Sequence, residues 1–158
     1  MIAIVAALGL LGGVATSTSI RAFAAVPQRC SSCTPRESIT GNGIGDLTCS
    51  NGIMYPDTRI TFNAVVPVRI MGPAQGSVTL TANSTFATIQ GTITSGVYDP
   101  RAKTYSLSGT STSDDICGTP NSPFTISGPI GSSVPISMTG GNYDFKGTGN
   151  VKAAHAKA

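Results

Sequence analysis

The chain has 158 residues, enough for one domain behind a leader. Charged residues make up 11% and apolar ones 40%, which excludes the low-hydrophobicity, high-charge composition of a disordered chain. Ten Lys or Arg stand singly against seven Asp or Glu, so the clustered basic footprint of a nucleic-acid or anionic-membrane binder is missing.

Ile2 to Ala15 is an uncharged apolar run, followed by a short polar stretch and then Ala22-Phe23-Ala24. That order reads as a signal peptide over residues 1–24, cleaved between Ala24 and Ala25, rather than as a buried helix. The run falls short of the roughly 20 residues that span a bilayer, so no transmembrane segment is expected in the mature form. Export to the outside of the cell or its surface follows.

Residues 25–37 carry two prolines, two cysteines and three charges, and read as an irregular arm. The four cysteines, Cys30, Cys33, Cys49 and Cys117, are an even count in an exported chain and predict disulfides. Of three possible connectivities we favour Cys49–Cys117, because both residues adjoin turn glycines at the ends of expected strands. Cys30–Cys33 is then a local loop. A four-cysteine zinc site would bring a second C-x-x-C knuckle, which this sequence lacks, so no metal is expected.

The β-domain is expected over residues 38–151. Strong helix formers are scarce, and apolar residues recur at every second position. Ile60, Phe62, Ala64, Val66, Val68 and Ile70 fall on one face of the clearest run, whose Pro67 demands an edge or a bulge. Similar alternation marks Gly45–Cys49, Val78–Ala82, Ala87–Thr94, Tyr105–Gly109, Phe124–Ile126, Val134–Met138 and Tyr143–Lys146. Gly, Pro, Asn or Asp punctuates these runs. An all-β fold is expected, as a two-sheet antiparallel sandwich, with a partly open barrel as the alternative. Ile89–Ser95 echoes Leu107–Ser113, as neighbouring strands of a meander would. Residues 152–158 offer nothing large to bury and are expected to fray as a disordered tail.

Catalytic candidates are sparse. His155, the one histidine, lies in the expected tail, where no partner is held in place. Asp46, Asp57, Asp99, Asp114, Asp115 and Asp144 carry no calcium-loop pattern, and aspartate in turns commonly bonds its own backbone. Gly41-Asn-Gly-Ile-Gly45 lacks the Gly-Lys-Ser/Thr continuation of a phosphate loop and reads as a hairpin turn or bulge. Tyr105 and Tyr143 sit in alternating runs and belong to the core. Asn83-Ser84-Thr85 is an N-glycosylation sequon on an expected surface turn.

The stretch Gly43-Ile-Gly-Asp-Leu-Thr-Cys-Ser-Asn-Gly52, with Asp115-Ile-Cys-Gly118 downstream, resembles small Gly/Thr-rich secreted proteins such as those of ammonia-oxidising archaea. Where those proteins often close the last strand with a cysteine, this chain reads Gly149-Asn-Val-Lys152. The resemblance implies export and a β fold, and no activity.

The expected function is a non-catalytic structural or interaction role at the cell envelope or matrix, without cofactor. Self-association through an unprotected sheet edge is one route to it. A carbohydrate- or small-ligand-binding module is the alternative, signalled by a concave face joining an aromatic with Asn or Asp. An aspartate-dependent secreted hydrolase ranks last and needs two close, buried carboxylates.

Overall fold

Alternating runs of β-branched and apolar residues, cut by turn formers, pair into one continuous sheet. The computed structural model describes residues 34–156. The expected leader, its cleavage point and the Cys30–Cys33 pair lie outside them. Eight strands follow in order: β1 (Arg36–Cys49), β2 (Met54–Pro67), β3 (Gly72–Thr81), β4 (Thr88–Asp99), β5 (Thr104–Asp114), β6 (Pro123–Pro129), β7 (Gly131–Gly140) and β8 (Tyr143–His155). Each pairs antiparallel with the next, and β8 returns to β1 with Glu37 opposite His155 and Cys49 opposite Tyr143. The result is a closed up-and-down barrel.

The expected two-sheet sandwich is therefore corrected to a barrel. Alternation tells which side of a strand is buried, and it is the same for two stacked sheets and for one sheet rolled on itself. The register of the first strand against the last makes the difference. Gly43 faces Gly149 and Gly45 faces Gly147 across that seam. A methyl group on Gly43 would stand 2.7 Å from the Thr148 carbonyl oxygen, so the seam closes only because these positions lack side chains. Gly41, Gly43 and Gly45 thus lie within a strand rather than in a hairpin turn; the bulge that was the other expectation falls just after Gly45, where the β1–β2 register shifts, and none of the three adopts a positive φ.

An eight-stranded barrel has an interior just wide enough to be filled by side chains. Ile39, Leu47, Ile60, Val66, Leu80, Leu107, Ile126, Met138 and Phe145 fill it, each fully buried. Glycines make room for the rings. A methyl group on Gly91 or Gly109 would meet the Phe124 ring at 2.5 or 2.8 Å, and one on Gly41 would meet that of Phe62. The Ile89/Leu107 echo is this device, since Gly91 and Gly109 occupy equivalent places in adjacent strands under one ring. The outer wall carries Thr92, Thr110, Ser108, Thr125, Ser137 and Thr139, among others. Apolar residues inside and hydroxyls outside reverse the pattern of a lipid-facing barrel.

Three local features depart from the sequence expectation. Pro67 ends β2 at the rim, and the chain turns away through Arg69 at φ 68°, leaving Ile70 66% exposed instead of in the core. Lys152–His155 continue β8 against Glu37–Thr40, because backbone pairing at the seam holds a segment that has little to bury. Finally, every strand is paired on both sides, so no sheet edge runs free along the wall, and the expected edge for self-pairing has no template among the described residues.

Candidate functional site

Strand direction puts the turns β1–β2, β3–β4, β5–β6 and β7–β8 at one end of the barrel. Cys49, the last residue of β1, bonds to Cys117 in the β5–β6 loop across that end, with Cα atoms 5.4 Å apart. The loops are laced together as well. Cys49 N–H donates to the Ile53 carbonyl (2.9 Å), Ser50 N–H to that of Asn142 (2.7 Å), and Asn142 Nδ2 to that of Cys117 (3.0 Å). Asp114, 7% exposed, accepts from the backbone N–H groups of Ile116 (3.1 Å), Cys117 (2.6 Å) and Thr119 (3.3 Å). This carboxylate therefore shapes the loop that presents Cys117. Burial pushes the hydroxyl pKa of Tyr143 upward, and the negative charge of Asp114 adds to the effect. Burial alone does the same for Tyr105.

The remaining aspartates are dispersed. Asp99 accepts from the Arg101 and Ala102 N–H groups at the β4–β5 turn. Asp144 accepts from the Thr139 hydroxyl and pairs with Lys146 at 3.2 Å. Asp46 faces Lys146 across the β1–β8 ladder, and Asp115 is exposed in its loop. His155 Nδ1 lies 2.7 Å from Glu37 at the far rim. Asp114 is the one buried carboxylate among the described residues, and no three of His, Cys, Asp and Glu converge there.

Asp57 has a different place. β2 carries one extra residue between Tyr55 and Thr58 relative to β1, and Asp57 at the bulge takes φ 55°. It lines a groove of about 510 Å³ on the outer wall with Ile44, Arg59, Thr81, Asn83 and Phe86. Phe86 adopts φ 56° and is 80% exposed. Its loop is nonetheless tied down: Phe86 N–H donates to the Ala82 carbonyl (2.8 Å) and Ala82 N–H to that of Ala87 (3.0 Å). A bulky residue held left-handed and facing water is unfavourable twice over, and such strain concentrates at functional sites. The groove continues into a hollow of about 290 Å³ lined by Asn42, Gly43 and Thr61, sharing Ile44 and Arg59. The ladder register explains the layout, since Ile44 pairs directly with Arg59, and Arg59 with Thr81.

Sequence reasoning placed Asn83 on a surface turn, where it is found, and it missed Phe86. The signal was there, in a phenylalanine embedded among turn residues of Ala82-Asn-Ser-Thr-Phe-Ala87 and out of step with the alternation on either side. Tyr105 and Tyr143 lie in the core. A second hollow, at the opposite rim, is lined by Thr34, Arg36, Pro67, Ile70, Met71, Gly72 and Pro73. Its one charged side chain, Arg36, already donates to the Pro73 carbonyl.

No protein-family model matches the chain, and no curated protein and no solved structure is significantly similar to it. The Cys49–Cys117 bond is compatible with an extracellular location, where disulfides persist. Among the described residues no helix is long and apolar enough to cross a membrane.

Proposed function

We propose that this is a secreted or cell-surface, non-catalytic interaction domain, in which a rigid, oxidised barrel presents the groove around Phe86 to a partner of the envelope or matrix. The observation that carries the reading is the groove itself, which joins an exposed ring to Asp57, Arg59 and Asn83. The filled interior supports it, because a barrel packed with side chains offers its ligand the outside. The dispersed carboxylates favour binding over hydrolysis, since general acid–base work needs groups held within reach of one another. Kinship with the Gly/Thr-rich secreted proteins belongs to the same proposal, as does the absence of a nucleic-acid partner.

Two measurements test it. Protein recovered from the culture medium or the cell surface should begin at Ala25. Labelled, oxidised protein added back to intact producing cells should bind saturably, and Phe86→Gly should weaken that binding. Retention inside the cell, or binding indifferent to Phe86, would refute the reading.

A further inference from the structure

The geometry points to a neutral oligosaccharide as the ligand of the Phe86 groove, lying along the outer wall from the β3–β4 loop toward Asn42 and Thr61. The inference rests on the proposed binding role and names its substrate class.

The first ground is the balance of surface types. A pyranose ring has one face of C–H bonds and a rim of hydroxyls that both donate and accept. Phe86 and Ile44 supply exposed apolar surface, the former 80% and the latter 51% accessible. Between and beside them stand an acceptor carboxylate (Asp57), a planar donor fork (Arg59) and an amide that does both (Asn83). Small-ligand sites combine these elements: an apolar platform with few, directional polar groups.

Charge supplies the second ground. Asp57 and Arg59 carry opposite charges in one groove, and neither takes part in the Lys146–Asp144 ion pair or the His155–Glu37 contact found among the described residues. Both groups are thus left to address a ligand, and their charges offset. A polyanion would meet Asp57, and a cationic peptide would meet Arg59. A neutral, polyhydroxylated ligand meets neither penalty.

Shape is the third. Thr148, Ile44, Arg59 and Thr81 form one cross-strand row on the outer wall, and Asn150, Asn42, Thr61 and Thr79 form the next. Four strands at ~4.8 Å spacing make each row about 14 Å long. The two hollows share Ile44 and Arg59 and so form one track, which suits a linear chain better than a single compact molecule.

The test is a titration of the oxidised full chain, followed by amide NMR shifts, with cellotriose, tri-N-acetylchitotriose, mannotriose and galactotriose. At least one should bind with a Kd tighter than about 1 mM. Shifts should concentrate on 42–44, 57–61 and 81–86. Phe86→Gly, whose left-handed backbone suits glycine, should keep the fold and weaken binding by about tenfold or more. Arg59→Ala should do the same, and Thr125→Ala on the outer face of β6 should change nothing. Failure of all four sugars to give a saturable shift overturns the inference, and so do shifts centred elsewhere. Intact mass of the native protein adds one arm: a glycan attached at Asn83 and filling the groove would replace the free ligand and overturn the inference as stated. A protein that labels cells through Phe86 yet ignores all four sugars sinks the saccharide and leaves the interaction role standing.

Discussion

Replacing both Cys49 and Cys117 by alanine removes the bond that caps one end of the barrel and leaves Cys30 and Cys33 untouched. The bond spans a sequence separation of 68 residues, from the first strand to the loop after the fifth. Closing a loop of that length in the unfolded chain removes entropy worth about 4 kcal/mol at 25 °C. A domain of this size has a net stability of roughly 5–15 kcal/mol, so the variant should be left marginal. The expected fall in Tm is roughly 15 °C. Urea unfolding followed by far-ultraviolet circular dichroism reads both effects. The midpoint should drop, and the m-value should rise, because an uncrosslinked chain exposes more surface when unfolded. The hydrogen bonds that also hold the β5–β6 loop, three to Asp114 and one from Asn142, survive the substitution and should keep the native fold populated. A loss below about 1 kcal/mol would refute the reasoning, since it would mean that the unfolded chain already keeps these segments together.

Gly41→Ala should cost several kcal/mol by driving a methyl into the Phe62 ring, and Phe62→Leu in that background should restore part of the loss, a coupling read from a double-mutant denaturation cycle. Tyr143→Phe should alter stability by no more than about 1 kcal/mol, because the hydroxyl has no protein partner, whereas Tyr143→Ala should lose about 3–5 kcal/mol with the ring. Tyr105 and Tyr143 are both raised above the ordinary value of 10.0, so the fold favours their neutral forms. Stability should hold below that pH and fall above it, by up to ~1.4 kcal/mol per pH unit for each tyrosine, and Tyr143→Phe should halve the slope measured by denaturation at rising alkaline pH. Asp114→Asn should cost about 1–2 kcal/mol and lower hydrogen-exchange protection at Cys117 and Thr119, since an amide cannot accept through both of its ends.

Each strand of the barrel contains one of the alternating runs visible in the sequence, and the inward residues from Ile60 to Val66 are those the period of two selects. Local pattern carries that much because pleating puts neighbours on opposite faces whatever the architecture. Closure was illegible for the same reason: nothing local to Arg36–Cys49 says that Tyr143–His155 lies beside it. Glycine misled at Gly41, Gly43 and Gly45, where sequence shows a residue without a side chain but not whether the chain needs its backbone freedom or its missing bulk. Here it needs the missing bulk. The Cys49–Cys117 pairing was legible because both residues border turns, and turns of an antiparallel sheet gather at its ends. The groove was half-legible: Asn83 announced itself by a motif, while the meeting of Phe86 with Asp57 depends on how the β3–β4 loop lies against the bulge in β2.

Closure also decides which surfaces the barrel can offer. An open sheet would have offered its backbone edge, and a wider barrel its lumen. Here β1 and β8 consume the edges, and rings seated over glycines consume the lumen. What stays exposed is the loops and the outer wall, where many side chains are short hydroxyls that lose little by staying in water. Phe86 is one of six non-glycine residues at positive φ among the described residues, a conformation that costs about 1–3 kcal/mol, and it alone among them adds an exposed aromatic ring, 80% accessible. The Cys49–Cys117 bond contributes a stabilisation of comparable or larger size at the same end of the barrel. A scaffold so clamped can hold the strained backbone at Phe86, which its N–H bond to the Ala82 carbonyl also ties down, and a backbone already fixed lowers the ordering cost of the binding proposed for that ring.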